Sequence, residues 1–85
     1  MPKTYEKQLS RTPAKLLFGL SLRHAREQLN LSQEALAELA GLHRTYIGQV
    51  ENGRRNISID NMEHLALAVG KELWEMIKPS ASIDG

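Results

Sequence analysis

The chain has 85 residues, of which 41% are hydrophobic and 25% are charged, as is typical of one small globular domain. It contains no cysteine, which excludes disulfide bonds and thiolate metal sites. No apolar stretch approaches the roughly 18 residues of a membrane span, and the first twelve residues lack the apolar core of a secretory signal. The composition therefore favours a cytoplasmic protein with no membrane role.

The net charge of +1 is unevenly distributed along the chain. Residues 1–30 carry a net charge of +4, residues 31–57 carry none, and residues 58–85 carry −3. A basic N-terminal part and an acidic C-terminal part would orient the molecule toward a polyanion. Because many neutral proteins show such asymmetry by chance, the charge pattern supports a nucleic-acid partner only in combination with a motif.

The first helix is predicted over residues 13–29, after a polar segment over 1–12 that is predicted to be a flexible arm. Thr12 is the expected cap, and Pro13 suits the first helical position. Asn30 is the expected stop. Apolar residues then recur at helical spacing on one face: Phe18, Leu22, Ala25 and Leu29.

Two short helices follow. The second is predicted over 33–40, because Ser32 is a good cap and Gly41 supplies a left-handed stop. The third is predicted over 44–51 and ends at Asn52. Neither is long enough to be stable alone, so both must be held by packing.

The fourth helix is predicted to begin after Ser58 and to stop at Gly70. A fifth is predicted over 72–77, where glutamate stands in the capping position. The small polar tail over 79–85 is predicted to be disordered. The predicted domain therefore covers 13–78 and is an all-α, compact five-helix bundle.

The second and third helices with their glycine turn have the pattern of a helix-turn-helix. Gly41 must take a positive φ cheaply, and Ala37 must be small because the third helix crosses close to it. Five further positions must be apolar to be buried between these helices and the rest of the domain: Leu36, Ala40, Leu42, Ile47 and Val50. The joint match at seven positions is strong evidence for this motif.

On these residues the chain resembles the phage-repressor helix-turn-helix family of Cro and cI type (the XRE family), over about residues 17–77. Its first helix carries Phe18-Gly19, Leu22-Arg23 and Arg26. The most specific motifs are Leu31-Ser32-Gln33-Glu34 and Glu51-Asn52-Gly53. Within the family it is most similar to controller proteins of restriction–modification systems, through Leu42-His43-Arg44-Thr45-Tyr46-Ile47 and Arg54-Arg55-Asn56-Ile57-Ser58. The resemblance implies a lambda-repressor-like fold and a small homodimeric regulator of its own operon.

The resemblance also implies that the third helix enters the major groove of double-stranded operator DNA. The expected base contacts are Arg44, Thr45 and Gln49. Arg44 can bond guanine O6 and N7, Thr45 can meet a thymine methyl group, and Gln49 suits adenine.

Phosphate contacts would set the register of the protein on DNA. The candidates are Ser32, Gln33, His43, Tyr46, Asn52, Arg54 and Arg55. Several of these residues also have a structural alternative. Ser32 is also a cap, Asn52 is also a turn residue, Tyr46 could shield the core edge, and the two arginines could form a solvated turn. Gly48 either lets a backbone approach or has no role.

By the family pattern, Arg26 and Glu51 are expected to form an ion pair between the first and third helices, with a structural role. A homodimer surface is expected on the last two helices, because Ile59, Leu67 and Trp74 lie off the inward stripes and tryptophan is enriched in interface cores. The expected surface is formed by Ile59, Leu67, Trp74 and Ile77. The alternative for Trp74 is that it covers the core of its own monomer.

Other function classes have weaker support. His24, His43 and His64 lack metal-ligand spacing, and no nucleophile elbow or phosphate loop appears, so an enzyme, a metal and a cofactor are not expected. His24 and His64 are expected to be solvated. The nearest alternative is an antitoxin-type autorepressor that also binds a partner protein. RNA polymerase is a further candidate partner.

Overall fold

The computed structural model describes residues 12–78, and the all-α prediction is confirmed there. Within this range the chain forms five helices in this order: α1 Ala14–Gln28, α2 Gln33–Ala40, α3 Arg44–Glu51, α4 Ile59–Ala68 and α5 Leu73–Ile77. Apart from Thr12, the predicted N-terminal arm lies outside the described residues, as does the predicted tail over 79–85.

The bounds of α2 and α3 agree with the sequence prediction, whereas those of α1 and α5 differ by one residue. Thr12 is not the cap of α1. Pro13 takes the capping position with an extended ψ of 146°, and its carbonyl oxygen accepts the N–H groups of Leu16 and Leu17. The fixed φ of proline suits the capping position as well as the first helical one, so the sequence pattern could not separate the two positions.

The fifth helix begins at Leu73, because Glu72 is extended and stands before the first turn. The Glu72 N–H donates to the carboxylate of Glu75 at 2.8 Å. The glutamate at the third position of the helix thus satisfies the backbone donor of the capping residue, as in a capping box. This arrangement explains how α5 starts without a conventional cap.

Serine residues cap α2 and α4 as predicted. The Ser32 hydroxyl accepts the Ala35 N–H at 2.9 Å, and the Ser58 hydroxyl accepts the Asn61 N–H at 3.1 Å. Asn30 stops the first helix with a φ of 58°, in the left-handed region that asparagine tolerates better than most residues. Each cap or stop satisfies backbone groups that a helix end leaves unpaired.

All five helices contribute to one core. Helix α1 packs on α3 and α5, α2 packs on α3 and α4, and α4 packs on α5. Each fully buried large apolar side chain stabilises the fold by roughly 1.5–3 kcal/mol relative to an exposed one. The largest of them come from all five helices: Phe18, Leu22, Leu36, Ile47, Val50, Leu65 and Met76. The short α2 and α3 are held by this core.

Candidate nucleic-acid interface

The turn between α2 and α3 is fixed at both ends. Gly41 adopts a φ of 67°, and the Leu42 N–H returns to the Ala37 carbonyl oxygen at 2.9 Å. This left-handed geometry closes the end of α2 at little cost only when glycine is present. His43 then caps α3, because its Nδ1 accepts the Thr45 N–H at 3.1 Å. The first turn of α3, with Arg44 and Thr45, is exposed to solvent.

The cap formed by His43 determines which ring nitrogen can donate. Because Nδ1 accepts a hydrogen bond from the backbone, the proton of a neutral imidazole lies on Nε2. His43 is exposed, so this Nε2–H points to a potential external acceptor rather than to a partner in the core. The cap therefore leaves one donor on His43 for an anion.

The opposite end of α3 is anchored by a buried ion pair. Arg26 Nε donates to Glu51 Oε2 at 2.7 Å, and a second guanidinium nitrogen donates to Oε1 at 3.1 Å. Arg26 also donates to the Leu31 carbonyl oxygen at 2.7 Å. The hydrogen bond to Glu51 raises the pKa of Arg26 above its usual value, so the guanidinium stays charged. The pair joins α1, the loop after it, and α3.

Gln33 belongs to the same buried network. Its Nε2 donates to Glu51 Oε1 at 3.0 Å, and the residue is half-buried. The predicted phosphate contact of Gln33 rests on its place at the start of α2, where backbone N–H groups and the helix dipole favour an anion, while its side chain is bonded inside the protein. The Arg26 contacts leave one lone pair on Glu51 Oε1 available. Because Glu51 is buried, leaving that lone pair without a hydrogen bond would cost stability, and the Gln33 amide satisfies it. Gln33 therefore ties the start of α2 to the end of α3.

Close packing of α1 on α3 depends on a glycine that sequence reasoning did not single out. A Cβ on Gly19 would overlap the Val50 carbonyl oxygen and lie 2.9 Å from the Glu51 carbonyl oxygen. The available signal was a glycine inside a helix, which costs about 1 kcal/mol relative to alanine and so suggests a packing reason. At Gly48 no backbone atom lies within 4 Å of such a Cβ, and the nearest atom is Gln33 Oε1 at 3.6 Å. The close-backbone explanation thus applies to Gly19 and not to Gly48.

A second cluster lies where the loop after α3 folds back on that helix. Arg55 donates to Gln49 Oε1 at 2.8 Å, and its guanidinium lies 4.8 Å from the centre of the Tyr46 ring. The Tyr46 hydroxyl accepts from Asn61 Nδ2 at 3.2 Å. Gln49 and Tyr46 are half-buried and Arg55 is exposed. The cluster connects α3, the loop and α4.

The sequence-predicted contact residues therefore fall into separate groups. Ser32, His43 and Arg44 line one shallow cleft beside the turn between α2 and α3. Tyr46, Gln49 and Arg55 form the cluster described above. Asn52 and Arg54 are exposed in and after the turn that ends α3. Gln33 is the one predicted phosphate contact whose side chain is drawn into the buried network.

The position of Lys15 beside the loop after α3 was not evident from the sequence. Its Nζ donates to Asn56 Oδ1 at 3.4 Å, across 41 residues of sequence. The start of α1 thus lies beside the basic loop that carries Arg54 and Arg55. Only the tertiary packing brings these cations together.

The predicted dimer residues are mostly exposed in the monomer. Ile59 is 71% exposed, Leu67 62% and Trp74 61%. The Lys78 ammonium lies 5.3 Å from the centre of the Trp74 ring. Ile77 differs from the other three, because it is half-buried and packs against the core of its own monomer.

His64 is exposed, as predicted, and it also contacts the end of α2. Its Nε2 lies 2.6 Å from the Ala40 carbonyl oxygen. A carbonyl oxygen only accepts, so this nitrogen is the donor, and α4 thereby satisfies a terminal backbone group of α2. Among residues 12–78 no group of histidines and carboxylates could hold a metal ion, and no helix there is long and apolar enough to cross a membrane.

Comparison with known proteins agrees with this geometry. Residues 22–73 match the family model described as helix-turn-helix. Over 64 residues the chain is 49% identical to Control protein C.BamHI of Bacillus amyloliquefaciens, covering 74% of this chain and 79% of that protein. The solved structure of the restriction-modification controller protein C.AhdI from Aeromonas hydrophila superposes with a TM-score of 0.69 at 47% identity, covering 73% of this chain and 94% of that one.

A second solved structure covers slightly more of the chain. The hypothetical transcription factor NHTF from Neisseria superposes with a TM-score of 0.78 at 32% identity, over 84% of this chain and 82% of that one. Both structures match the order and packing of the helices that hold α3. The comparisons thus extend from the helix-turn-helix motif to the whole described bundle.

Proposed function

The chain belongs to the helix-turn-helix family of transcriptional regulators, close to the restriction–modification controllers, and we propose that it binds a palindromic operator as a homodimer and regulates its own operon. The observation that carries this proposal is that α3 is anchored at one end and exposed at the other. Its far end is anchored by the buried Arg26–Glu51 pair, while its first turn exposes Arg44 and Thr45. A helix held in this way can present its N-terminal side chains to the major groove.

The proposed contacts divide by the part of DNA they meet. Arg44 bonds a guanine edge and Thr45 a neighbouring thymine. Backbone contacts come from exposed residues on both sides of α3 and from the half-buried Tyr46: Ser32, His43, Tyr46, Asn52 and Arg54. The Nε2–H of His43 suits a phosphate oxygen, because phosphate offers only acceptors. For Gln33 the proposed contact is its backbone N–H at the start of α2, because its side chain bonds Glu51.

The operator is tested by fluorescence anisotropy of a labelled duplex from upstream of this protein's own gene, beside a scrambled duplex, at two salt concentrations. We expect tight binding to the native duplex that stays selective at the higher salt. Equal and salt-sensitive binding to both duplexes would contradict sequence-specific regulation through this region, because it is the signature of charge alone.

Replacing Arg44 by Ala is expected to weaken binding to the native duplex by about 1–3 kcal/mol, since a bidentate guanine contact contributes that much discrimination. Binding to the scrambled duplex should change little. Arg23→Ala is the matched control, because it removes the same charge from an exposed position on α1 where Arg23 pairs with Glu27. Equal losses of affinity for the two variants would show that Arg44 contributes only its positive charge to binding.

Self-association is proposed through the exposed apolar residues of α4 and α5, namely Ile59, Leu67 and Trp74, with a smaller part for Ile77. A chain of 85 residues buries only about 60% of the surface that its unfolded chain exposes, so it is marginally stable alone and would gain stability from a partner. Two half-sites about one helical turn apart would then match the two-fold axis of the protein. The antitoxin-type alternative would need this surface for a different protein.

Leu67→Glu is expected to convert the dimer to a monomer in sedimentation equilibrium, because a charge would be buried at the interface without a partner. Leu39→Glu is the control, since Leu39 is 63% exposed on α2 but lies outside the proposed surface. Trp74 is the sole tryptophan, so dilution of the wild type should also shift its emission to longer wavelength. A wild-type mass that stays monomeric at all concentrations would rule out the dimer.

A further inference from the structure

Gln49 does not present a free amide to solvent. Its Oε1 accepts a hydrogen bond from Arg55 at 2.8 Å, and because a guanidinium has donors only, the atom that faces it is the oxygen. Arg55 occupies one of the two lone pairs on Oε1 and places a positive charge beside the other, so the two N–H groups on Nε2 are the part of this amide best suited to another partner. Adenine recognition by glutamine needs both amide atoms, with Oε1 accepting from adenine N6.

Arg55 is held in place from a second side. Its guanidinium stacks over the Tyr46 ring at 4.8 Å from the ring centre, and the Tyr46 hydroxyl is in turn bonded by Asn61 at 3.2 Å. A planar guanidinium that is stacked and hydrogen-bonded loses less freedom on binding than a free arginine side chain. Arg55 is exposed, so its remaining N–H groups face solvent beside the Gln49 amide.

We propose that Gln49 and Arg55 act as one positively charged unit of hydrogen-bond donors that reads a guanine edge in the major groove, with Arg55 as a specificity-determining residue. This inference rests on the proposed DNA-binding function. Guanine offers two acceptors, N7 and O6, whereas adenine and cytosine each present an amino group that would meet donors and the positive charge of Arg55. The unit replaces the adenine contact of Gln49 and the phosphate contact of Arg55 predicted from the sequence.

Arg54 provides a contrast within the same loop. It is exposed like Arg55, it carries the same charge, and it belongs to the proposed backbone contacts. Removing a phosphate contact weakens binding about equally on all sequences, whereas removing a base-reading group changes the preference at one position. Comparing variants of the two arginines therefore distinguishes the effect of losing a positive charge from the effect of losing base recognition.

The test is selection of the full-length protein on a duplex library with randomised positions, followed by sequencing of the bound fraction. Gln49→Ala identifies the position that Gln49 reads, as the one whose base preference is lost. In the wild type we expect guanine there. Arg55→Ala should lower the guanine-to-adenine ratio at this position by about tenfold, because the freed Oε1 can then accept from adenine N6. Arg54→Ala should lower recovery of all sites without changing that ratio.

Three results would overturn the inference: adenine at the Gln49-dependent position in the wild type, an unchanged ratio in Arg55→Ala, or no position that depends on Gln49. None of these results contradicts the proposed DNA-binding function, provided that the wild type still enriches particular sequences and that the preference at other positions depends on Arg44. If the wild type enriches no sequence, the proposed function fails together with this inference. Far-ultraviolet circular dichroism of each variant verifies that the fold is retained.

Discussion

Replacing Glu51 by Ala is expected to lower the free energy of unfolding by about 3–5 kcal/mol, the largest effect predicted for a single side chain here. The change leaves the Arg26 guanidinium buried without its carboxylate, and it removes the acceptor of the Gln33 amide. For a domain of this size each kcal/mol corresponds to about 4–8 °C in Tm. Thermal and urea unfolding followed by circular dichroism would measure the loss.

Glu27→Ala is the matched control for Glu51→Ala. Glu27 also pairs with an arginine from α1, but both side chains of that pair are 55% exposed. An exposed pair one helical turn apart contributes about 0.3–0.5 kcal/mol. Similar losses in the two variants would show that burial of the Arg26–Glu51 pair has no special weight. If Glu51→Ala does not fold, Glu51→Gln keeps the shape and tests the charge alone.

Gly19→Ala is expected to destabilise the protein by about 2 kcal/mol or more, although alanine is the better helix former. The added Cβ would overlap the Val50 carbonyl oxygen, which is backbone and cannot turn away as a side chain can. The two helices α1 and α3 must then move apart, and the Arg26–Glu51 bonds between them must lengthen. The same unfolding measurements would show a drop in Tm of more than about 8 °C.

Gly48→Ala separates this steric effect from helix propensity. A Cβ at Gly48 meets only the end of the Gln33 side chain, at an ordinary contact distance of 3.6 Å. The variant should therefore be unchanged or more stable by up to about 1 kcal/mol. A Gly19→Ala protein as stable as Gly48→Ala would contradict the close approach of α1 and α3.

Both destabilising variants act on the placement of α3. An isolated helix of eight residues is unstable in water, so its position comes from its contacts. Glu51 fixes the end of α3 through polar bonds, and Gly19 sets its distance from α1. Mild forms of either defect should therefore weaken operator binding as well as stability, because base contacts tolerate little displacement of the helix that carries them.

The local structure of this protein was predictable because its determinants lie close together in the sequence. Ser32 and Ser58 bond N–H groups three residues ahead, and Gly41 takes its left-handed turn where the apolar pattern of α2 ends. The bounds of α2 and α3 followed from these signals. The errors at Thr12 and Glu72 are of one residue, where two capping arrangements have nearly equal sequence patterns.

Family motifs extended the prediction to the exposed first turn of α3 and to the partners Arg26 and Glu51, which lie 25 residues apart and form a bidentate pair. They did not reveal how the neighbouring side chains use their hydrogen bonds. The Gln33 side chain bonds Glu51, and the exposed His64 also bonds the end of α2. A polar side chain takes whatever partner the packed chain places beside it.

By itself the sequence determined where helices begin and end to within one residue, which faces are apolar, and that two short helices form a helix-turn-helix motif. Those properties depend on residues within about one or two turns of each other. Only the tertiary structure decided that Gly19 must lack a side chain, that Arg55 engages Gln49, and that Lys15 lies beside Asn56. These outcomes arise where separate elements meet, and there distances and available lone pairs, rather than local periodicity, select the contacts.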